Sequence, residues 1–587
     1  MIQILYFHSI KTIFKYKFPL ALVVLLYLTH LYTKDFSSSY QKPINGDAKA
    51  YYAYLPAIFI YQDSEYNFID AYEEKYYAKD HRKDFLNTIE NGRKVNKTFP
   101  GVALLYLPFF LIAHFLASIF GTEADGYSLL YQYLFDFGYW FYILIGAIYY
   151  LKVFRLLKFK DKHIYFSLFV LIVGTNVLFY SMVDQSVTHL FNFAMINGLV
   201  YHLLKFKGNA KLKHIYLSIA LLVLIGITRP TNILVLLLVP IFISERQFYI
   251  DYFKEIFKLK SIFIVGAITV LIGSIPFILW QWQTGNWIVY GYGDEGFDFK
   301  NPEFVNFLFS YTKGWFTYTP IALLTLILGL FYVGRKSILK SINILAFYLI
   351  SIYIFSVWWC WYYGAGMGQR VMIDHFIVLG YLIIVSLENL PILLKKVVTT
   401  IYVLLVVFNV IQTYQITTGI YPMGSPTKAI YWDNFLNLSK KAKVYDKVNW
   451  ELIESLPISL SPNMNYIVKG NSKKVNDKFV IQTNEFDTYS PTFEVELTKP
   501  TKTIVIKLNA FTYNAINSSR LVVSSIESNL EQCVVYLKSY LEKGNTVEME
   551  FLIEFTNPVS VFEVYAWNAG TQEKVDYSDF IIETFEK

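Results

Sequence analysis

The sequence predicts a polytopic α-helical membrane protein that carries a β-sandwich domain toward its C-terminus. Of its 587 residues, 55% are hydrophobic and only 17% are charged, which is more apolar surface than a soluble chain of this length can bury. Long apolar stretches recur up to about residue 415, and short alternating segments follow from about residue 440. These observations set the predicted class and divide the chain into two parts.

Twelve apolar stretches are long enough to cross, or nearly cross, about 30 Å of hydrocarbon. They lie at 18–33, 100–120, 127–151, 164–182, 187–204, 215–228, 231–244, 261–281, 315–333, 341–361, 371–388 and 397–415. No small-residue cleavage site follows the first stretch before Lys34, so we expect an uncleaved first span.

Basic residues between the stretches set the predicted orientation, because loops rich in Lys and Arg stay in the cytoplasm. Twenty-one of them form six clusters: Lys11, Lys15 and Lys17; Lys152, Arg155, Lys158, Lys160 and Lys162; Lys205, Lys207, Lys211 and Lys213; Arg246, Lys254, Lys258 and Lys260; Arg335, Lys336 and Lys340; Lys395 and Lys396. All six can share one side only if one of 100–120 and 127–151 fails to cross.

The weaker of these two stretches is 100–120, which begins at Pro100 and contains Pro108 and His114. We therefore predict an interfacial or re-entrant helix there. This leaves about eleven spans, with the N-terminus in the cytoplasm and the C-terminal domain outside. The pair 215–228 and 231–244 is short for two full spans.

The predicted domains follow from this topology. Residues 1–415 form the transmembrane domain, with a first outer loop at 34–99, and 416–440 form a linker. Residues 441–587 form the outer domain. Apolar and acidic residues alternate there at 493–497 and 547–555, a period-two pattern typical of half-buried strands. We expect an antiparallel β-sandwich.

Composition also narrows the partners and the covalent chemistry. A net charge of +7 would suit nucleic acid in a soluble chain, but the basic residues here lie between apolar stretches, where they orient a membrane protein. We therefore expect membrane lipids and no nucleic acid. Cys360 lies in an apolar run and Cys533 in the polar C-terminal part, so no disulfide between them is expected.

The first outer loop contains a candidate catalytic acid. Asp47 follows Gly46 and begins a short aromatic segment, 48–56, that should lie at the outer membrane surface. A carboxylate there can take a proton from a hydroxyl or hold a metal beside a lipid-borne phosphate. The alternative is a helix N-cap, for which Asp is a favoured residue.

A second outer connection supplies Asp184 and His189. Asp184 is a second candidate catalytic acid, and it could share a divalent metal with Asp47. His189 is a candidate substrate contact. Each has a structural alternative: Asp184 can cap the following helix, and His189 can satisfy a buried hydrogen bond.

Outside the first outer loop and the C-terminal domain, four basic residues lie on the predicted outer side: Arg229, Lys300, Lys313 and Arg370. Arg229 lies between two apolar stretches, where an unpaired charge is costly and a functional role is expected. Arg370 follows a glycine-rich loop, 364–369, whose flexible backbone could approach an anion.

Arg pairs with phosphate through its fork of N–H groups and Lys does so as a mobile charge. Arg229, Arg370, Lys313 and Lys97 are therefore candidate phosphate ligands, with a snorkelling anchor as the alternative for Lys313. Lys300 is expected to be a solvated loop residue. Trp359 and Trp361 are candidate stacking partners for a sugar ring, with an interfacial belt as the alternative.

Taken together, Asp47 after the first span, Pro100–Gly101, Asp184, Arg229 and the Gly368–Gln369–Arg370 loop resemble the GT-C superfamily of membrane glycosyltransferases. That superfamily includes the protein O-mannosyltransferases and the lipid A aminoarabinose transferases, and the chain is most similar to mannosyltransferase-like bacterial members. The resemblance covers roughly residues 1–415.

The resemblance implies a polyprenyl-phosphate sugar as donor and a lipid, glycan or protein of the cell envelope as acceptor. It also implies a bacterial cytoplasmic membrane and an acid in the first outer loop, here Asp47, as catalytic base or metal ligand. Lys49 stands where many members carry a second acid, which weakens the metal alternative. A transporter or flippase of lipid-linked saccharides is the rival function, and a scaffold whose sandwich binds a surface polymer is a third.

Overall fold

A computed structural model of the protein describes residues 16–37, 41–77, 85–293, 295–418, 420 and 428–438, and eight strands between 466 and 585. The chain divides into two compact units, 1–72 with 81–413 and 73–80 with 414–587.

The first unit is helical, and its helices follow the hydropathy of the sequence. From the N-terminal side they are α1 (Lys17–Thr33), α2 (Asp47–Pro56), α3 (Ile69–Tyr76), α4 (Gly101–Phe120), α5 (Leu129–Leu156), α6 (Asp161–Val173), α7 (Val177–Met182), α8 (His189–Asn209), α9 (Leu212–Thr228), α10 (Val239–Phe242) and α11 (Arg246–Ile256). After these come α12 (Leu259–Gly273), α13 (Ile275–Thr284), α14 (Phe304–Phe309), α15 (Trp315–Tyr318), α16 (Pro320–Gly334), α17 (Ile338–Ser356), α18 (Phe376–Asn389) and α19 (Ile392–Thr417).

Shorter elements complete this part of the chain. A π-helical turn extends α2 over Ala57–Tyr61, and 3₁₀ segments cover Pro230–Leu238 and Arg370–His375. Strands β1 (Leu86–Thr88) and β2 (Lys94–Asn96) form an antiparallel hairpin within the predicted first outer loop. Each of the twelve apolar stretches coincides with one or two of the helical segments.

Six helical segments among the described residues are long and apolar enough to cross a membrane: 101–120, 129–156, 259–284, 338–356, 370–389 and 392–417. Four shorter apolar segments accompany them, at 17–33, 212–228, 230–242 and 320–334. The predicted class, a helical membrane protein with several spans, is confirmed. The predicted count of about eleven spans stays a prediction.

The segment 100–120 differs from the interfacial helix that we expected. Its residues form one continuous helix of 20 residues, α4, in spite of Pro108 inside it, and α4 is among the six segments able to span. Its length therefore gives no reason to remove it from the spans. The predicted orientation of the chain, which depended on that step, also stays a prediction.

The spans differ in how much of their surface the protein covers. In the segment 370–389, 94% of the most apolar window is buried inside the protein, whereas in 259–284 only 11% is buried. The first is thus a central helix, and the second presents its surface to lipid. Arg370 begins the central segment, so its position is fixed by the surrounding helices.

The predicted span 164–182 is interrupted between α6 and α7. Asn176 lies at this break, where its amide Nδ2 donates to the Met367 carbonyl at 3.2 Å. The break turns α7 toward the glycine-rich loop and places the following connection, 183–188, beside the start of α2.

The second unit contains the β-rich part of the chain. Its strands are β3 (Tyr466–Lys469), β4 (Lys473–Val475), β5 (Lys478–Gln482), β6 (Phe493–Thr512), β7 (Arg520–Ser525), β8 (Gln532–Tyr536), β9 (Thr546–Trp567) and β10 (Val575–Phe585). They form one antiparallel sheet in the order β4-β5-β10-β6-β9-β7-β8, with β3 also paired to β6.

The predicted alternation at 493–497 and 547–555 falls on β6 and β9, the two long central strands. Val495, Ile504, Ile506 and Leu508 are the buried apolar residues of β6, as a half-buried strand requires. The two-layer sandwich stays a prediction. Helix α20 (Lys428–Asp433) lies in the predicted linker, and residues 439–465 lie outside the described part of the chain.

Candidate active site

Asp47 is the first residue of α2, and its carboxylate faces away from that helix. Gly46, with φ of 52°, is the N-cap, and no side chain caps the helix. Instead, Oδ2 of Asp47 accepts a hydrogen bond of 2.7 Å from Nη2 of Arg370, 323 residues further along the chain. The N-cap alternative is therefore not what the structure shows.

The two partners of this ion pair differ in exposure. The Asp47 side chain is 46% exposed, while that of Arg370 is 14% exposed. Among the described residues, Oδ1 of Asp47 receives no hydrogen bond. One oxygen is therefore held by Arg370 and the other is open to a ligand.

The glycine-rich loop 364–369 holds Arg370 in place. Gly366 has φ of 133°, and a Cβ there would collide with the hydroxyl of Tyr180. That hydroxyl accepts a hydrogen bond of 3.1 Å from the Met367 amide, and Nζ of Lys313 donates to the Gly366 carbonyl. We expected a flexible loop whose amides bind an anion, but the loop is clamped and the Met367 amide is already bonded.

Lys313 is 1% exposed, so it is not a snorkelling anchor at the surface. Burial, with a smaller contribution from Arg370, lowers the pKa of Lys313 to about 7 against the opposing effect of Asp184. Its amine stabilises the loop before Arg370, and its charge varies near neutral pH.

Asp184 lies in the connection beside Asp47, and it stabilises its own loop. Its Oδ1 accepts from the amide of Ser186 at 3.1 Å and from the hydroxyl of Ser186 at 2.5 Å. That hydroxyl packs against Gly46, where a Cβ would lie 3.2 Å from it. Asp184 is close enough to Arg370 and Lys313 to act on both electrostatically.

Arg229 belongs to a hydrogen-bonded chain that begins at a buried carboxylate. Asp374, which is fully buried, accepts from Nδ1 of His189 at 2.8 Å and from the amides of Asn232 at 2.6 Å and Asn192 at 3.3 Å. On the other edge of the imidazole, Nε2 of His189 lies 3.3 Å from Nη1 of Arg229. His189 thus links Asp374 to Arg229.

These contacts assign the imidazole proton. Asp374 accepts at Nδ1, and the guanidinium can only donate at Nε2, so a neutral His189 with its proton on Nδ1 satisfies both edges. At 2% exposure, His189 does not reach a substrate. The predicted substrate contact is therefore replaced by a positioning role, close to the buried-hydrogen-bond alternative.

Arg229 forms no ion pair with a carboxylate in the part of the chain that the structure describes. Its guanidinium lies 5.3 Å from the ring of Tyr363 and 5.8 Å from that of Phe355, and Nε donates to Thr231 at 3.2 Å. Its direct contacts are thus aromatic rings and neutral groups, and the Asp374 carboxylate acts on it across His189. It is the candidate phosphate ligand without a directly bonded carboxylate.

The loop between α13 and α14 covers this region. Tyr292 on that loop interacts electrostatically with both Arg229 and Asp47, and burial raises the pKa of Tyr292 to about 12. Its ring packs edge-on against Trp358, 5.5 Å away. Tyr292 therefore remains a neutral hydrogen-bonding group at the site.

Lys97, Trp359 and Trp361 occupy the periphery. Lys97 forms an ion pair of 2.6 Å with Glu295, and the indole of Trp359 donates to the other oxygen of Glu295 at 3.3 Å. Lys97 thus holds the covering loop, which weakens its case as a phosphate ligand. Trp361 accepts a hydrogen bond from Gln369 at its carbonyl, and its ring lies 5.6 Å from that of Tyr362.

The donor set does not fit a metal centre. No group of three or more His, Cys, Asp and Glu side chains in the described residues is placed to share an ion. Arg370 binds one oxygen of Asp47, and Ser186 binds one oxygen of Asp184. We therefore derive no reaction step through a metal.

Four residues of the site were not predicted from the sequence: Asp374, Asn192, Asn232 and Tyr292. A polar pair at the start of an apolar stretch, Asp374–His375, was the one available signal. The amides and the tyrosine carry no pattern that separates them from ordinary polar residues.

Comparison with known proteins gives little further information. No protein-family profile and no curated protein matches the chain. The cryo-EM structure of arabinosyltransferase EmbB from Mycobacterium smegmatis is similar over 77% of this chain at 10% identity and a TM-score of 0.29. The match spans 58% of that protein. A likeness at this level carries no argument about function.

Proposed function

We propose that the chain is a membrane glycosyltransferase with Asp47 as the catalytic base. It moves a sugar from a polyprenyl-phosphate donor to a cell-envelope acceptor, with inversion, on the outer side of a bacterial cytoplasmic membrane. The observation that carries the proposal is the Asp47–Arg370 ion pair, because it joins a half-exposed acid to a cation of low exposure at the start of the central helix.

The reaction needs a base and a site for a leaving phosphate. The acceptor hydroxyl gives its proton to Oδ1 of Asp47, and its oxygen attacks the anomeric carbon. The bond between that carbon and the phosphate oxygen breaks, and the electron pair leaves with the phosphate. The products are the glycosylated acceptor and polyprenyl phosphate, and a positioned base contributes roughly 10²- to 10⁴-fold.

Arg229 and Arg370 stabilise the departing phosphate. Arg370 uses one N–H on Asp47, and the remaining N–H groups of its fork can bind phosphate oxygens. Arg229 offers a positive charge without a carboxylate partner among the described residues. Two fixed guanidinium groups need no reorganisation as charge develops on the leaving group, which is the basis of electrostatic catalysis.

The experiment uses membranes that contain the full chain, a panel of labelled polyprenyl-phosphate sugars and endogenous acceptors. We expect Asp47→Asn to lose at least 100-fold in transfer, about the lower bound for a general base, with membrane insertion unchanged. Glu65→Gln is the matched control, because it removes an exposed carboxylate from the same loop.

Full transfer by Asp47→Asn would contradict the assignment of the base. No transfer by the wild-type chain, together with movement of lipid-linked saccharide across the membrane, would favour the flippase instead.

A further inference from the structure

A large apolar cavity lies in the first unit, and neither Asp47 nor Arg370 lines it. Its volume is about 1120 Å³, and its walls include Leu203, Leu222, Phe248 and Tyr252. This volume is slightly above the roughly 300–1,000 Å³ that is usual for ligand pockets. An apolar space of this size suits hydrocarbon chains.

The charged residues that line the cavity are both basic. Lys336 and Lys340 line it, and no acidic side chain does so among the described residues. Nζ of Lys340 lies 5.4 Å from the ring of Tyr381, another lining residue, so the ammonium group faces the cavity. The nearby Glu245 is paired with Lys207 at 2.6 Å.

Helix α11 forms one wall of the cavity. Phe248 and Tyr252 line the cavity, while the exposed residues of the helix include the oppositely charged Arg246 and Asp251. Lys336 follows the apolar helix α16, and Lys340 lies in the first turn of α17. Both lysines are therefore at the ends of apolar helices, where lipid headgroups are expected.

From these observations we infer that the cavity binds an anionic phospholipid, with its acyl chain among the apolar residues and its phosphate between Lys336 and Lys340. Basic pockets between transmembrane helices on the cytoplasmic side bind anionic lipid headgroups, and both lysines belong to a cluster predicted to be cytoplasmic. The inference does not rest on the proposed glycosyltransferase activity.

The experiment measures lipid binding to the full chain in detergent by native mass spectrometry, with dioleoyl phosphatidylglycerol and dioleoyl phosphatidylcholine as probes. We expect wild type to retain the anionic lipid preferentially. The double variant Lys336→Gln/Lys340→Gln should lose roughly 30-fold in affinity for it, at about 1 kcal/mol per lysine. Lys395→Gln/Lys396→Gln is the matched control, with the same charge change on α19, a helix that contributes no residue to the cavity.

Two further arms test the apolar part. Leu222→Trp fills the cavity and should reduce retention of the lipid, with the melting temperature as the check on folding. In wild type, dihexanoyl phosphatidylglycerol should bind more weakly than the dioleoyl lipid. Equal retention of both headgroups, equal binding by the lysine double variant and wild type, or no dependence on chain length would overturn the inference.

Discussion

Two carboxylate–histidine pairs of the first unit are almost completely buried, and they differ in what the imidazole contacts next. His189 is 2.8 Å from Asp374, and its other nitrogen faces the guanidinium of Arg229. His30 is 3.0 Å from Asp136, and its other nitrogen lies 3.0 Å from the Met182 carbonyl. The contacts of the first pair lead to the Arg229 guanidinium at the candidate site, and those of the second pair lead to the Met182 carbonyl.

The hydrogen-bond inventory separates the two pairs further. A neutral His189 satisfies an acceptor on one edge and a donor on the other, whereas both nearest partners of His30 are acceptors. The two pairs therefore have different roles. The His189–Asp374 pair positions Arg229, and the His30–Asp136 pair connects α1 to α5 and to the end of α7.

The largest expected effect concerns Arg229, the partner of the His189–Asp374 pair. Arg229→Gln removes a cation that we propose binds the leaving phosphate, and loss of one such group costs roughly 10²- to 10³-fold in kcat. The rate of sugar transfer in membranes with saturating donor gives the measurement. A rate within threefold of wild type would break the assignment of Arg229 to the phosphate.

The second pair, His30–Asp136, is expected to affect stability. Asp136→Ala leaves the buried His30 imidazole without its carboxylate partner. Removal of one partner from a buried pair costs about 3 kcal/mol or more. The midpoint of SDS-induced unfolding in mixed micelles should fall, while the transfer rate per folded molecule should stay close to wild type. Reduced activity in the folded fraction would show that this pair also serves the site.

A smaller effect is expected for His189→Ala, because Arg229 remains but loses its support. Groups that orient a metal ligand from outside are worth roughly 10- to 100-fold, and we expect a loss of the same order for this support of a guanidinium. Since the guanidinium is then less well placed, kcat should fall more than KM changes. His189→Gln, which can still accept from Arg229, should recover part of kcat, a response that a purely structural residue would not give.

The smallest expected effect concerns pH. The pKa of Lys313 is about 7 in the folded protein and close to 10.5 when unfolded, so the unfolded state binds more protons between these values. Stability should therefore rise as the pH increases through that window. Lys313→Met should flatten this slope, and unfolding midpoints at pH 7 and pH 9 in wild type and variant measure the difference. Identical slopes would contradict the low pKa.

Much of the helical organisation was predictable because hydropathy is local. Each apolar stretch became helical, and Asp47, Asp184, Arg229 and Arg370 were recognisable as charges in costly positions. The errors came from residues whose role depends on a distant partner. Lys313 is not the snorkelling anchor that we considered, because helix packing buries it. The glycine-rich loop 364–369 is not flexible as expected, because Tyr180 and Lys313 hydrogen-bond to its backbone.

By itself the sequence determined the helical membrane class and the change to strands after residue 440, because periodicity and composition are properties of neighbouring residues. Tertiary structure alone decided that Asp47 meets Arg370 and that Asp374 acts on Arg229 through His189. Those contacts join segments up to 323 residues apart. Their distances follow from helix packing, which no local pattern encodes.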